Sequence, residues 1–451
     1  MFRLQFISFL RSRLAIAGLM IILLTGCISI FTGRQHLKKQ QQSVAMTELQ
    51  QQQHIQRNVQ FFQKEMGLLL YYLRFGLANE TSALNALSMG QRDVNSGVQS
   101  LTIRGLENQR YDTDLFNPAS LLAGNLDFNF VLIYLFPLLI VAFTYNLLSE
   151  EKELGTWKLV SAQSSRPVRV LWQKLLVRIA VVAGALVTLL MFAAVVVPVP
   201  IDAAFFAAAM IALMYLLSWF AISGWIVSLG KNSNVSAAAL LGIWIMLVFV
   251  VPGAVNNFLV KKYAVPEAMA TVVEQREGYH EKWDMDQQPT LDKFYRHYPQ
   301  FKKYGQPDSS FSWLWYYAMQ QLGDDDAREH TDAMYRKLHQ REDASASIAR
   351  WFPSLHAQHQ LNSIAGSGLR NQLLFLQRAA AFHEQKRLFF YPLIFDNAPV
   401  KSVDWHRFGM EYFSEEVNLN WLNMLLPFVL TIGLFTGLAW WRLRKSISSL
   451  Q

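Results

Sequence analysis

The chain has 451 residues, 52% of them hydrophobic and only 16% charged, with a formal net charge of +8 and a single cysteine, Cys27. Soluble domains carry roughly a quarter charged residues, so this balance points to lipid, and one cysteine excludes an intramolecular disulfide and a thiol-rich metal cluster. The positive excess leaves nucleic acid or a membrane surface as partners, and the placement of the charges decides between them.

The chain opens on MFRLQFISFLRSR. Phe2, Phe6, Phe9 and Leu10 fall near one helical face, with Arg3, Arg11 and Arg13 elsewhere. Two readings follow: an interfacial helix lying on the inner leaflet, or a plain extension of the first span. The first span is Leu14–Phe31, one of six segments that reach the roughly 20 apolar residues needed to cross a hydrocarbon core. Within it, LTGC (Leu24–Cys27) matches a bacterial lipoprotein signal. The apolar run continues through Ile28, Ile30 and Phe31, where a mature lipoprotein turns polar, so an uncleaved anchor is expected.

Residues 34–66 contain no Gly or Pro, and Val44, Met46, Leu49, Ile55, Val59, Phe61 and Phe62 interrupt the Gln-rich run at helical intervals. One long helix rising from the first span is expected, against the alternative of low-complexity disorder. Residues 76–128 are mixed, with turns at Asn117-Pro118 and Gly124-Asn125. The second span is Asn129–Leu148, without a charge, and the third is Leu175–Pro198. The fourth is Ala203–Leu229 and the fifth Ala237–Phe258. Pro137 and Pro252-Gly253 lie inside spans, where neighbouring helices can satisfy the carbonyls they free. Residues 259–418 form a second large insertion rich in aromatics, with helical patterns such as DDDAREHTDAMYRKLHQRE. Its Asp324-Asp325-Asp326 reads as a solvated helix N-terminus. The two insertions are expected to pack as one mainly helical periplasmic domain. The sixth span is Trp421–Trp441.

With the N-terminus taken as cytoplasmic, the inner pieces are 1–13, 149–178, the GKNSNVS turn and the tail after Trp441. They hold thirteen Lys and Arg against three acids, while the two long outer segments hold 28 bases and 29 acids. The positive excess is therefore a topology signal, and no nucleic-acid partner is needed.

Few motifs carry chemistry. GWIVSLGKNS (224–233) has one residue too many between its glycines for a phosphate-binding loop and Asn after its Lys. HAQH (His356–His359), with His383, could offer imidazoles to a metal, but surface or capping histidines explain them as well. No Asp or Glu lies between the ends of any span, which removes support for a proton-coupled carrier.

The informative stretch is LLSEEKELGTWKLVSAQSSRPVRVLWQK (147–174), polar between two spans. Glu150, Glu151 and Glu153 precede Leu154, Trp157 and Val160, which share a helical face. Gly155-Thr156 permits a change of direction, and Arg166-Pro167 is expected to stop the helix. This describes a short amphipathic helix pinned at both ends, with Trp157 as an exposed apolar knob for a cytoplasmic partner.

EKELGT (151–156), then LVSAQ (159–163), then RPVR with Lys174, resembles the signature of ABC-2 type transporter permeases in the loop after the second of six spans. WFPSLHAQHQLNSIAGSGLRNQLLFLQRAAAFHEQKR (351–387) is similar to a pattern in a branch with a large external domain of unknown function. The resemblance implies an all-α polytopic membrane protein in the bacterial inner membrane, with cytoplasmic termini. It implies a non-catalytic permease subunit working with an ABC ATPase subunit and a second permease, identical or paralogous. ATP and magnesium would be held by the ATPase and no cofactor by this chain. Glu150, Glu151, Glu153, Gly155, Thr156, Trp157, Arg166 and Arg169 are the implied coupling residues. The expected division is 1–32 interfacial helix and first span, 33–128 first periplasmic segment, 129–258 spans two to five with the coupling helix at 149–174, 259–418 second periplasmic segment, and 419–451 sixth span and tail. Two functions remain open: export, or mechanical work on a periplasmic partner with nothing crossing the bilayer.

Overall fold

The computed structural model describes residues 2–110, 126–157, 167–267, 273, 277, 282–283, 286–307 and 311–448. Among the described residues, six helices are long and apolar enough to cross a membrane, and strand is confined to one three-stranded sheet. The fold is all-α and polytopic.

Helix α1 (Phe2–Leu10) is separate from α2 (Arg13–Phe61). Ser12 makes the break. Its hydroxyl accepts from Ala15 N at 3.2 Å and donates to the Phe9 carbonyl at 2.7 Å, an N-cap that starts α2 afresh. The opening segment is thus not an extension of the first span. Helix α2 carries the first span and the Gln-rich run as one rod of 49 residues, about 74 Å at 1.5 Å per residue. It ends at Phe61, five residues short of the expected end. Of the apolar residues that interrupt the Gln run, Ile55 is buried and Val59 and Phe62 pack beside it, while Met46, Leu49 and Phe61 stay exposed.

After α3 (Met66–Tyr72) come β1 (Phe75–Asn79) and β2 (Val98–Leu101). The remaining spans are α4 (Phe128–Glu153), α5 (Pro167–Val196), α6 (Ala203–Ser228) and α7 (Ser233–Lys262). Then follow α8 (Gln287–His297), α9 (Trp313–Ala349), α10 (Pro353–Ile364), α11 (Leu369–Phe395), β3 (Glu411–Phe413) and the last span, α12 (Trp421–Ser448). The most apolar stretches of α4 and α6 are 67% and 61% buried within the chain, against 11–33% for the other four. Those two helices are therefore the bundle's centre, and the rest present apolar faces outward.

Prolines lie inside α4, α7 and α12, and in the first two neighbouring chain satisfies what they leave open. In α4 a π-turn at Val131–Leu135 leads into Pro137. Tyr215 of α6 donates its hydroxyl to the Ile133 carbonyl at 2.8 Å, and Trp244 of α7 donates Nε1 to the Tyr134 carbonyl at 3.1 Å. In α7 a π-turn at Met246–Val250 precedes Pro252, and Ser354 of α10 donates to the Leu247 carbonyl at 2.6 Å. Away from water, a carbonyl with no helical donor needs such a partner.

Both insertions contribute to one core. Phe75, Leu77, Leu101 and Ile103 from the first pack with Phe294, Tyr317, Phe375 and Phe390 from the second. Strand β1 pairs antiparallel with β2 and parallel with β3, so the sheet ties residues 75–101 to residues 411–413. The acidic run 324–326 is not a helix N-terminus. It lies a third of the way along α9, and Asp324 is buried, accepting from Leu106 N and Glu107 N and pairing with Arg387 at 2.8 Å.

Candidate functional site

The stretch after the second span forms a bracket at one end of the bundle. The helix closes with Ser149–Glu153, and Gly155 takes a left-handed φ of +73°, which glycine adopts without a Cβ penalty. The chain changes direction there, as the Gly-Thr pair predicts. Thr156 turns back on the helix it leaves: its hydroxyl donates to the Glu151 carbonyl at 3.2 Å and to the Glu151 carboxylate.

Each of the three acids has a structural tie. Glu150 accepts from Asn146 Nδ2 at 2.8 Å, one turn back. Glu151 pairs with Lys174 of α5. Glu153 accepts from Ser233 N at 2.9 Å and from Ser233 Oγ at 3.0 Å, at the start of α7. Ser149 Oγ also meets Ser233 Oγ at 2.8 Å, and Lys152 Nζ lies 3.5 Å from the Gly230 carbonyl. The bracket thus continues α4 and is fastened to α5 and to the turn between α6 and α7. Helix α1 sits at the same end: the Phe9 ring meets Phe143 edge-on at 5.0 Å, and the Arg178 guanidinium lies 5.0 Å over Phe9. A cavity of about 560 Å³ between α1 and the bracket is lined by Glu150, Lys174 and Arg178.

One expectation is corrected. Trp157 is not an exposed knob. It is partly buried and packs against the bundle core, and the exposed apolar residue is Leu154, at 69% exposure. The cause is the break at Gly155, which rotates Trp157 away from the face that Leu154 occupies. Lys152, Glu153, Leu154 and Gly155 form the outward ridge. Arg169 is exposed in the first turn of α5, which begins at Pro167. That proline opens the next helix, where its missing N–H costs nothing. Arg166, Val160 and the LVSAQ motif lie outside the described residues.

Sequence reasoning missed Asn146, Ser149, Lys174 and Ser233 as the bracket's fastenings. Lys174 had a signal, since it stands in the quoted motif. Ser233 had none, because it lies 80 residues beyond Glu153 in the chain.

A second junction lies at the other end. Helix α10 of the insertions carries the HAQH motif, and its Ala357, Leu361 and Ile364 belong to the core of the spans. It packs on α6, α9 and α12 and on the π-turns of α4 and α7. His356 is fully buried and its Nε2 donates to the Met424 carbonyl of α12 at 2.9 Å, which leaves Nδ1 without a proton. His359 faces Glu342 at 3.8 Å, and burial lowers its pKa to about 4. His383 belongs to the core of the insertions instead, with Phe382 beside it. Among the described residues no group of three or more His, Cys, Asp or Glu converges as a metal site would.

Two family models match the chain. One, a domain of unknown function, DUF3526, covers residues 268–410. The other, ABC-2 family transporter protein, covers residues 2–312. Comparisons with curated proteins and with solved structures return no match. A model that takes in more than half of the sequence, on a six-span bundle with a motif-bearing bracket, fixes the membership: the chain belongs to the ABC-2 family of transporter proteins.

Proposed function

We propose that the chain is the membrane subunit of an ATP-driven transporter, and that the ridge Lys152–Gly155 docks on a separate ATPase subunit beneath the inner membrane. The single observation that carries this reading is the fastening of the bracket, itself the end of α4, to two further spans. A displacement of the ridge is delivered to α4 by the chain itself, to α5 through Lys174 and to α7 through Ser233. Leu154 supplies the apolar contact of the dock, and Gly155 and Thr156 hold the bend. Glu151 keeps the bracket stiff through Lys174 and Thr156. ATP binding can shift the bundle only by favouring one of two packings with its own differential affinity. A second copy or a paralogue would complete the working unit.

The mechanical reading has its own support. Helix α10 seats the insertions directly among α4, α6, α7 and α12, with Ser354 and His356 bonded to span carbonyls. A movement of the bundle would therefore reach the outer domain without any cargo in the spans. Under this reading the outer domain acts on a periplasmic partner.

Two variants test the dock in proteoliposomes that contain the permease with its ATPase. Leu154→Asp and Glu151→Ala should leave the complex able to hydrolyse ATP while its transport, or its effect on the partner, falls at least tenfold. Full coupled activity in both variants would refute the dock. Flux of a labelled cargo in the wild type would favour export. ATP-dependent work on a partner without flux would favour the mechanical reading.

A further inference from the structure

The insertions line a half-open cavity of about 460 Å³ that the transport reading does not use. Its walls come from both insertions: the turn Leu106–Arg110 from the first, and α8, α9 and α11 from the second. That volume is within the ordinary range of small-molecule sites. Charged side chains line it, which is costly unless each is matched.

The cations are matched. Arg387 donates to the carbonyls of Ile103 (3.1 Å) and Arg104 (2.7 Å), to Asp324 (2.8 Å) and to Gln321. Arg110 pairs with Glu107 at 3.0 Å and donates to the Leu376 carbonyl at 2.9 Å. Arg328 pairs with Asp325 at 3.1 Å.

The acceptors are not. Glu107 is 6% exposed, and its second carboxylate oxygen, Oε2, is buried with no partner. His383 is 2% exposed, and its Nε2 is buried with no partner. Glu384 receives only the Tyr298 hydroxyl, at 2.8 Å to each oxygen, and has no cation within ion-pairing distance among the described residues. Burial pushes the Glu107 carboxyl above its usual range, against the pull of Arg110, and the His383 imidazole well below its own. Among the charged side chains that line the cavity, the acids Glu107, Asp324, Asp332 and Glu384 outnumber the arginines Arg110, Arg328 and Arg387 by one.

We infer that this cavity is a binding site for a small organic cation rich in N–H donors, an amine or guanidinium compound, held by Glu107, His383 and Glu384. The hydrogen-bond balance at these three side chains sets the class, because each presents an acceptor. The charge balance sets the sign. An anion would meet carboxylates, and a cation without N–H groups would leave the orphan acceptors unmatched. The site sits in the same domain as α10, so its occupant is placed to act on the joint between insertions and spans.

The test uses the full-length protein in detergent, with titration calorimetry against agmatine and putrescine as probes and succinate and tetramethylammonium as controls. Saturable binding of agmatine or putrescine is expected, with neither control binding. Glu384→Gln keeps an acceptor for Tyr298 and should weaken binding about tenfold, the scale of one charged hydrogen bond. Glu107→Gln should weaken it similarly, and unchanged gel-filtration profiles would show that both variants fold. The inference is overturned if the folded wild type binds neither amine, which would leave a water-filled cavity. It is overturned as well if tetramethylammonium or succinate binds as tightly, or if both variants bind as the wild type does.

Discussion

Tyr215 and Pro137 show how single residues set the shape of this bundle. Proline removes a donor from α4, and the Tyr215 hydroxyl reaches across from α6 to the Ile133 carbonyl. Tyr215→Phe should therefore destabilise the protein by about 1 kcal/mol, the ordinary scale of a hydrogen bond between spans. In a Pro137→Ala background the restored N–H can serve that carbonyl, so the same change should cost clearly less. Thermal unfolding of the four proteins in one detergent measures the difference, and equal costs in both backgrounds would refute the account. At the junction of α10 with the spans, His359 offers a pH signature. Its folded pKa of about 4 lies below the ordinary 6.5. Between those values the unfolded chain takes up a proton that the folded one refuses, so stability falls as pH drops from 6.5 toward 4. His356, Arg350 and the Glu342 carboxyl, itself raised by burial, face it. Raised carboxyls such as Asp127, at about 6, act in the opposite direction. The His359 contribution is thus read as a difference: the wild type should lose more melting temperature from pH 6.5 to 4.5 than His359→Gln does. Parallel curves would contradict it.

At the scale of elements, what the sequence made legible was whatever local chemistry determines. The absence of Gly and Pro over residues 34–66 favours one rod, and α2 runs unbroken from the first span through the Gln run as far as Phe61. Gly155 marks the bend of the bracket because only glycine sits easily at φ +73°. What stayed hidden depends on partners far away in the chain. Asp324 reads as a solvated acid until Leu106, Glu107 and Arg387 close over it. Trp157 reads as a knob until the bend turns it inward. The strand Phe75–Asn79 is short, contains a glycine and is buried along its whole length, so no alternation betrays it. Helix α10 is the sharpest case. Its HAQH reads as surface or capping histidines, with a metal as the alternative, but His356 is buried and serves a carbonyl that the sequence cannot locate.

The spans meet other elements at two junctions, one at each end. At one, α1, the bracket and the turn between α6 and α7 gather around Ser233, Glu153 and Phe143. At the other, α10 reaches from the insertions among four spans. Under the proposed function such an arrangement carries a push from one end to the other. Every part of that account needs the ridge Lys152–Gly155 to face the compartment that holds ATP. The decisive measurement is side-specific thiol labelling in a Cys27→Ser background, with Leu154→Cys on the ridge and Met46→Cys on the exposed face of α2. In intact cells made permeable at the outer membrane, an impermeant maleimide should label position 46 and spare position 154. Position 154 should react only after the inner membrane is opened, and purified ATPase should then protect it. Labelling of position 154 in the intact cells would put the ridge on the wrong side and contradict the account.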